Sequence, residues 1–87
     1  MDTSTQKQGK RYIMYITASV SDASGNPLPG YSVKFVVSDG SNILETGVAE
    51  TEIDGTATYS PKKKFKPGTY TIYAYAGGSY DIKKVTI

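Results

Sequence analysis

The 87-residue sequence contains no cysteine, no histidine and no tryptophan. Without cysteine the chain forms no disulfide, and it offers neither a thiolate ligand for zinc nor a cysteine nucleophile. Without histidine it also lacks the side chain that most often acts as a general base near neutral pH and that commonly binds metals. An enzyme built on this sequence would have to use carboxylates, lysine or serine alone.

A strong excess of one charge sign is also absent. Ten Lys and Arg residues oppose eight Asp and Glu residues, which gives a net charge of +2. So small an excess argues against the broad positive field of a general nucleic-acid-binding protein. No apolar run approaches the length of a membrane span or of a signal-peptide core. We therefore expect no nucleic-acid partner, no membrane span and no cofactor.

Residues 21–35 hold the densest turn chemistry of the chain. Asp22, Gly25 and Asn26 favour turns, while Pro27 and Pro29 fix φ and remove backbone donors from any ladder. On both sides of this turn, apolar and polar residues alternate with a period of two, which is typical of half-buried strands. The segment therefore predicts a bend between two strands.

The same pattern continues to the end of the chain, and no segment shows helical periodicity. Asp39-Gly40 and Asp54-Gly55 are signals of tight turns between strands. We expect seven short strands, at residues 11–21, 31–38, 43–46, 48–53, 56–60, 69–76 and 79–87. Seven strands with a turn signal about every ten residues predict an all-β fold, an immunoglobulin-like β-sandwich of antiparallel strands in two sheets. Residues 11–87 would form this single domain.

Finer expectations concern strand irregularities, the N-terminal segment and the residues of the core. Gly47 reads as a bend between two strands, and a bulge near Lys83–Lys84 would return Tyr80 and Ile82 to the core together with Val85 and Ile87. Residues 1–10 are polar and lack periodicity, so we expect a flexible lead-in. The inner face of residues 48–53 would consist of Ala49, Thr51 and Ile53. The core would contain Ile16, Ala18, Val20, Val33, Phe35, Val37, Ala57, Tyr70, Ile72 and Ala74.

Three motifs in order carry a family resemblance. The segment Asp-x-x-Gly-Asn-Pro-x-x-Gly-x-x-Val-x-Phe at residues 22–35 resembles the strand connection of bacterial immunoglobulin-like repeats in invasin- and intimin-type surface adhesins. Residues 54–58 and 67–72 resemble a later turn and the penultimate strand of that family. The resemblance covers nearly all of residues 11–87. It implies a structural or spacer module at the cell surface, with neighbouring domains of the same chain as partners and a surface glycan or protein as a further candidate partner.

Several residues are expected to have structural roles. Gly-Thr-Tyr at residues 68–70 resembles the tyrosine corner of sandwich folds, in which the hydroxyl of Tyr70 would bond to upstream backbone. Phe35 belongs to the predicted core, and Gly30, Gly55 and Gly68 occupy turns.

Two surface sets are candidates for binding. Tyr15, Tyr73 and Tyr75 could form a flat platform for a sugar ring, although exposed tyrosines also stabilise neighbouring strands through cross-strand pairing. The basic residues Lys62, Lys63, Lys64 and Lys66 could contact an anionic surface, or they could form a solvated loop that Phe65 anchors to the core. A carbohydrate-binding module and a phage capsid or tail decoration domain are thus the alternatives to a spacer.

The carboxylates give weaker signals. Asp22, Asp39 and Asp54 lie in separate turns, whereas a calcium site needs six or more converging oxygens. Glu50 and Glu52 share a predicted strand face, but no pocket-forming insertion accompanies them. We expect no catalytic residue and no metal site.

The strand count also makes a prediction about the termini. Each turn of an antiparallel sandwich reverses the chain, so an odd number of strands places the two chain ends at opposite poles. Strands of about ten residues span roughly 30 Å. Copies joined end to end would then extend in a line, with residues 1–10 as the joint.

Overall fold

The computed structural model describes every residue from Met1 to Ile87 and contains seven strands and no helix. The strands are β1 (Asp2–Gln8), β2 (Arg11–Ser19), β3 (Ser32–Ser38), β4 (Ile43–Glu50), β5 (Thr56–Tyr59), β6 (Thr69–Ala76) and β7 (Ser79–Thr86). They pair antiparallel in a three-stranded sheet, β1-β2-β5, and a four-stranded sheet, β4-β3-β6-β7. The predicted all-β sandwich is confirmed. No helix able to span a membrane is present.

The core lies between the inner faces of the two sheets and follows from the period-two alternation of β2, β3 and β6. Phe35 is fully buried, and its ring stacks on Tyr59 at a centroid distance of 5.5 Å. Every predicted core residue is buried except Val20, which is half-buried. Met14 and Phe65 complete the core. The buried cluster contains Met14, Ile16, Ala18, Val33, Phe35, Val37, Ala57, Phe65, Tyr70, Ile72 and Ala74.

The first ten residues differ from the sequence expectation. Instead of a flexible lead-in, β1 pairs with β2 along its whole length, from Asp2 opposite Thr17 to Gln8 opposite Arg11. Backbone hydrogen bonds in a ladder do not require apolar side chains, and the side chains of β1 are mostly exposed. Only Met1 packs against the core from this segment. Because β1 lacks apolar alternation, the sequence pattern did not predict it as a strand.

The segment around Gly47 also differs. Residues 43–50 form one continuous strand, in which Gly47 lies opposite Phe35. A Cβ atom at Gly47 would overlap the ring of Tyr59 at Cε1, so the glycine leaves room for this ring rather than bending the strand. The strand ends at Glu50, and Ile53, predicted to face inward, is 87% exposed.

The last strand is regular. Its register with β6 runs without interruption from Thr69 opposite Thr86 to Ala76 opposite Ser79, so the expected bulge at Lys83–Lys84 is absent. Tyr80 and Ile82 consequently stay exposed on the outer face of the sheet. There they pair across the strands with Tyr75 and Tyr73, which gives them apolar contacts outside the core.

Residues 51–55 connect β4 in the four-stranded sheet to β5 in the three-stranded sheet. The strands on either side of Asp54-Gly55 belong to different sheets, so this turn does not close a hairpin within one sheet. Gly55 has a φ of +79°, and a Cβ there would lie 2.7 Å from Cβ of Pro27 and 2.8 Å from the carbonyl oxygen of Val20. The amide of Val20 also donates to the carbonyl of Gly55 at 2.8 Å. This contact ties the turn to the loop at residues 20–31.

The connections between strands gather at the two ends of the sandwich. The N-terminal pole holds Met1 and the connections at residues 20–31, 51–55 and 77–78, while the C-terminal pole holds the connections at 9–10, 39–42 and 60–68 together with Ile87. The Met1 ammonium contacts Asp81 at 3.2 Å, and the Ile87 amide donates to the Gly68 carbonyl at 2.9 Å. The chain ends therefore lie at opposite poles, as the strand count predicts. Arg11, however, lies at the same pole as Ile87, so β1 is what separates the ends.

Candidate functional site

Tyr70 forms the predicted tyrosine corner. Its hydroxyl donates to the backbone carbonyl of Lys66 at 2.6 Å, and its ring packs edge-on against Phe65 at a centroid distance of 5.1 Å. The amides and carbonyls of Phe65 and Tyr12 exchange two hydrogen bonds of 2.8 Å. Phe65 thus anchors the loop at residues 62–66, called the lysine loop below. Its ring is buried and cannot stack on a ligand.

One carboxylate adds two further bonds to the backbone of the lysine loop. The backbone amides of Lys62 and Lys63 each donate to the Glu45 carboxylate at 3.0 Å, and the Tyr59 hydroxyl donates to the same group. Burial of Tyr59, together with this hydrogen bond to Glu45, raises the pKa of Tyr59 to about 12. The loop backbone is therefore fixed while the lysine side chains remain exposed.

A cleft of about 280 Å³ lies beside this loop at the C-terminal pole. Arg11, from the start of β2, joins the loop lysines around the cleft, and Asp39 contributes one carboxylate. Sequence reasoning did not connect Arg11 with the lysines, because they are about fifty residues apart in the chain. The cleft is lined by Arg11, Asp39, Leu44, Lys63, Lys64, Phe65, Lys66 and Tyr70.

The tyrosine platform is only partly as predicted. The rings of Tyr73 and Tyr75 lie 6.1 Å apart, with an angle of 13° between their planes. Tyr15 lies on β2 in the other sheet, where its hydroxyl donates to Oε1 of Gln6 at 3.3 Å, so it does not join them. Tyr80 takes its place, with its ring 5.9 Å from that of Tyr75. The mistaken bulge in β7 had assigned Tyr80 to the core.

These tyrosines belong to a wider apolar face on the outside of the four-stranded sheet. Ile43 is 67% exposed, and Val48 and Ile82 are also exposed there. The outer face of the three-stranded sheet is more polar, with pairs such as Thr17 and Thr58, whose hydroxyls lie 3.4 Å apart. The two outer faces therefore differ in chemistry. The outer face of the four-stranded sheet, which carries the tyrosines, exposes more apolar surface and is the better candidate for binding another molecule.

The turn aspartates bind local backbone donors. Asp22 accepts hydrogen bonds of 2.9 Å from the amides of Ser24 and Asn26, and the bonds from Asn26 lower its pKa most. Asp39 accepts from the amides of residues 41 and 42, and Asp54 accepts from the amide and hydroxyl of residue 56. No group of three or more acidic side chains converges in a way that could hold a metal ion. Each of these aspartates acts as a local turn residue.

Glu50 and Glu52 are not presented as a pair on one strand. Glu50 is the last residue of β4, whereas Glu52 lies in the following turn, where its amide donates to the Thr56 carbonyl at 2.7 Å. Neither residue lines any of the three cavities of the domain. The predicted face with two carboxylates therefore does not exist.

The strand arrangement defines an immunoglobulin-like sandwich in which the fourth strand pairs with the third. In constant-type immunoglobulin domains the fourth strand belongs to the sheet of the first, second and fifth. The model of the bacterial Ig-like domain (group 1) family matches residues 12–87, so the chain belongs to this family. Domains of this family are generally non-catalytic structural modules and occur in bacterial surface proteins. Neither the curated proteins nor the solved structures gave a significant match.

Proposed function

We propose that this domain is a spacer module of a larger, adhesin-like protein at the bacterial cell surface, and that it carries position and force between neighbouring domains. The observation that carries this proposal is the placement of Met1 and Ile87 at opposite poles. A chain entering at one pole and leaving at the other extends the protein with every copy. The cell-surface location is supported by membership of the family.

The edges of the two sheets suit this mechanical role. Force applied through Met1 and Ile87 acts along β1 and β7, and each of these strands has one hydrogen-bonded neighbour. Hydrogen bonds between antiparallel strands run perpendicular to the strands. A pull along the strand therefore loads the whole ladder in shear, so that many bonds must break together.

The linear arrangement can be tested with tandem copies. Chains of one, two and four copies, each joined from Ile87 to Met1, would be measured by small-angle X-ray scattering. The maximum dimension should grow by roughly the 42 Å long axis with each copy. Four copies that collapse into a compact particle would contradict the spacer function.

The tyrosine face favours a second function, the binding of a glycan. The contiguous rings of Tyr73, Tyr75 and Tyr80 lie on an exposed, apolar surface, and tyrosine combines apolar area with a polar hydroxyl. A glycan array probed with the wild type and with Tyr75→Ala/Tyr80→Ala tests it. Binding by the wild type alone would support the glycan function, and no binding by either protein would count against it.

A further inference from the structure

The charged side chains of this domain are almost entirely unpaired. The chain has ten Lys and Arg residues and eight Asp and Glu residues. The only ion pair within 4.0 Å is that between the Met1 ammonium and Asp81. No lysine or arginine side chain pairs with a carboxylate. The charges are thus nearly balanced in number but hardly paired in space.

The explanation is that the two signs are separated along the long axis. Most basic residues lie at the C-terminal pole, either in its connections or at the adjoining ends of β1 and β2, and most acidic residues lie at the N-terminal pole. The basic set contains seven of the ten, namely Lys7, Lys10, Arg11, Lys62, Lys63, Lys64 and Lys66. The acidic set contains six of the eight, namely Asp2, Asp22, Glu50, Glu52, Asp54 and Asp81.

The exceptions do not cancel this separation. Asp39 and Glu45 lie toward the C-terminal pole, but two carboxylates there do not offset the seven basic residues of that pole. The three remaining basic residues lie within strands, Lys34 in β3 and Lys83 and Lys84 in β7. The ammonium of Lys83 lies 3.5 Å from the Met1 carbonyl. The C-terminal pole thus keeps a surplus of free positive charge.

The two poles cannot neutralise each other within one molecule. Seven or eight residues of strand separate them by about 25 Å. Charges at a surface are screened over about 8 Å at physiological ionic strength. Each pole therefore presents its charge to another molecule or domain rather than to its own opposite pole.

We propose that the basic C-terminal pole of one copy docks head to tail on the acidic N-terminal pole of a second copy of this domain. For the arrangement in a tandem array this inference rests on the proposed spacer function, because a chain that leaves at Ile87 and enters at Met1 brings unlike poles face to face. Charge complementarity of this kind gives orientation and rapid encounter more than high affinity. The contact orients successive copies and stiffens the joint between them.

The geometry of this contact distinguishes it from association through the tyrosine face. Head-to-tail docking uses two different surfaces, so free copies would form open chains that grow with concentration. Two apolar sheet faces would instead form a closed dimer, and salt would not weaken it. Asp22 and Asp54 stay charged in mildly acidic solution, since their hydrogen bonds lower their pKa values.

Sedimentation equilibrium of the single chain tests the docking independently of any tandem array. At about 0.05 M salt the average mass should rise with concentration above that of the monomer, and at about 0.5 M salt it should return to the monomer. Lys63→Glu/Lys64→Glu should abolish the rise. Lys34→Glu/Lys83→Glu, which has the same net charge but leaves the C-terminal pole intact, should retain it.

A charge exchange completes the test. Glu50→Lys/Glu52→Lys should also fail to associate alone, and a mixture with Lys63→Glu/Lys64→Glu should associate again. Salt-independent association, a closed dimer, or a mixture that stays monomeric would overturn the proposal. The proposal would also be overturned if the wild type stays monomeric at low salt while its basic pole binds inorganic polyphosphate. Each of these results leaves the scattering test of the spacer function unaffected.

Discussion

Tyr59 links three parts of the molecule through one side chain. Its ring stacks on Phe35 in the core, fills the space above Gly47, and presents its hydroxyl to Glu45, which also binds the lysine loop. Tyr59 has the same parity as the predicted core residue Ala57, so alternation in the strand at residues 56–60 predicts only that it points inward. Its partners Phe35, Glu45 and Gly47 lie 12 to 24 residues away. Alternation predicts which way a side chain points, but it does not predict which distant side chains it meets.

The raised pKa of Tyr59 predicts a loss of stability in alkaline solution. With a pKa of 10.0 in the unfolded chain and about 12 in the folded domain, Tyr59 contributes stability fully below pH 10. This contribution should disappear as the pH rises from about 10 to about 12. Urea unfolding of the wild type and of Tyr59→Phe across this range measures it. The difference between the two proteins should shrink with pH, and a constant difference would contradict the assignment.

Phe35 is the largest fully buried side chain among the core residues that the sequence predicted. Phe35→Ala should lower the free energy of unfolding by about 3 kcal/mol or more, because it leaves a cavity at a fully buried site. Ile43→Ala, at an exposed position, should change stability by about 0.5 kcal/mol or less. Denaturant titration of both variants gives the comparison. Equal costs would mean that Phe35 is not the centre of the core.

At the scale of single elements, β1 shows why polarity alone is a poor guide to order. Its ladder with β2 consists of backbone bonds, and its side chains face solvent, so neither periodicity nor hydropathy marks it. Amide hydrogen exchange followed by NMR should show protection of the hydrogen-bonded amides in residues 2–8, although less than in β6, which carries buried side chains on its inner face. If these amides exchange as fast as those of an unfolded peptide, residues 1–10 are a flexible segment and not a strand.

Gly47 sets the continuity of β4. Gly47→Ala should destabilise the domain by about 1 to 3 kcal/mol, because the added methyl group overlaps the Tyr59 ring. In a Tyr59→Leu background the same substitution should cost much less. Gly78→Ala, where nothing lies within 4 Å, serves as the control for a generic glycine effect. Thermal unfolding of the wild type, Gly47→Ala, Tyr59→Leu and the double variant measures the coupling between the two positions. Additive effects of the two changes would rule out the overlap.

The elements also show how much of the fold was predictable. The turn at residues 21–30 formed as its composition predicts, with Asp22 binding the amides of Ser24 and Asn26. The assignment of β4 to the sheet of β3, and the exposure of Tyr80 and Ile82, depend on neighbours across the sheet. Local patterns do not contain that information. The candidate tyrosine face was therefore found only in part.

At the scale of the whole molecule, the predicted strand count was right for partly wrong reasons. Residues 43–53 supplied one strand rather than two, and β1 replaced the lost one. Because turns alternate between the poles, this exchange decides which charges share a pole. With the strands in their actual order, the lysine connections all fall on one side and most acidic connections on the other. The sequence gives the order of the charged residues along the chain, but assigning each of them to a pole requires the correct strand topology.

If the domain transmits force between opposite poles, as proposed, single-molecule pulling through its two ends is the most direct test. The absence of cysteine allows attachment at chosen sites, with one handle after Ile87 and the other either at Met1 or at Arg11→Cys. Pulling through Met1 and Ile87 loads β1 and β7 in shear. Pulling through residue 11 and Ile87, which share a pole, peels β7 from β6 bond by bond. The rupture force should be clearly higher for the first pair, and an equal or lower force would contradict the account.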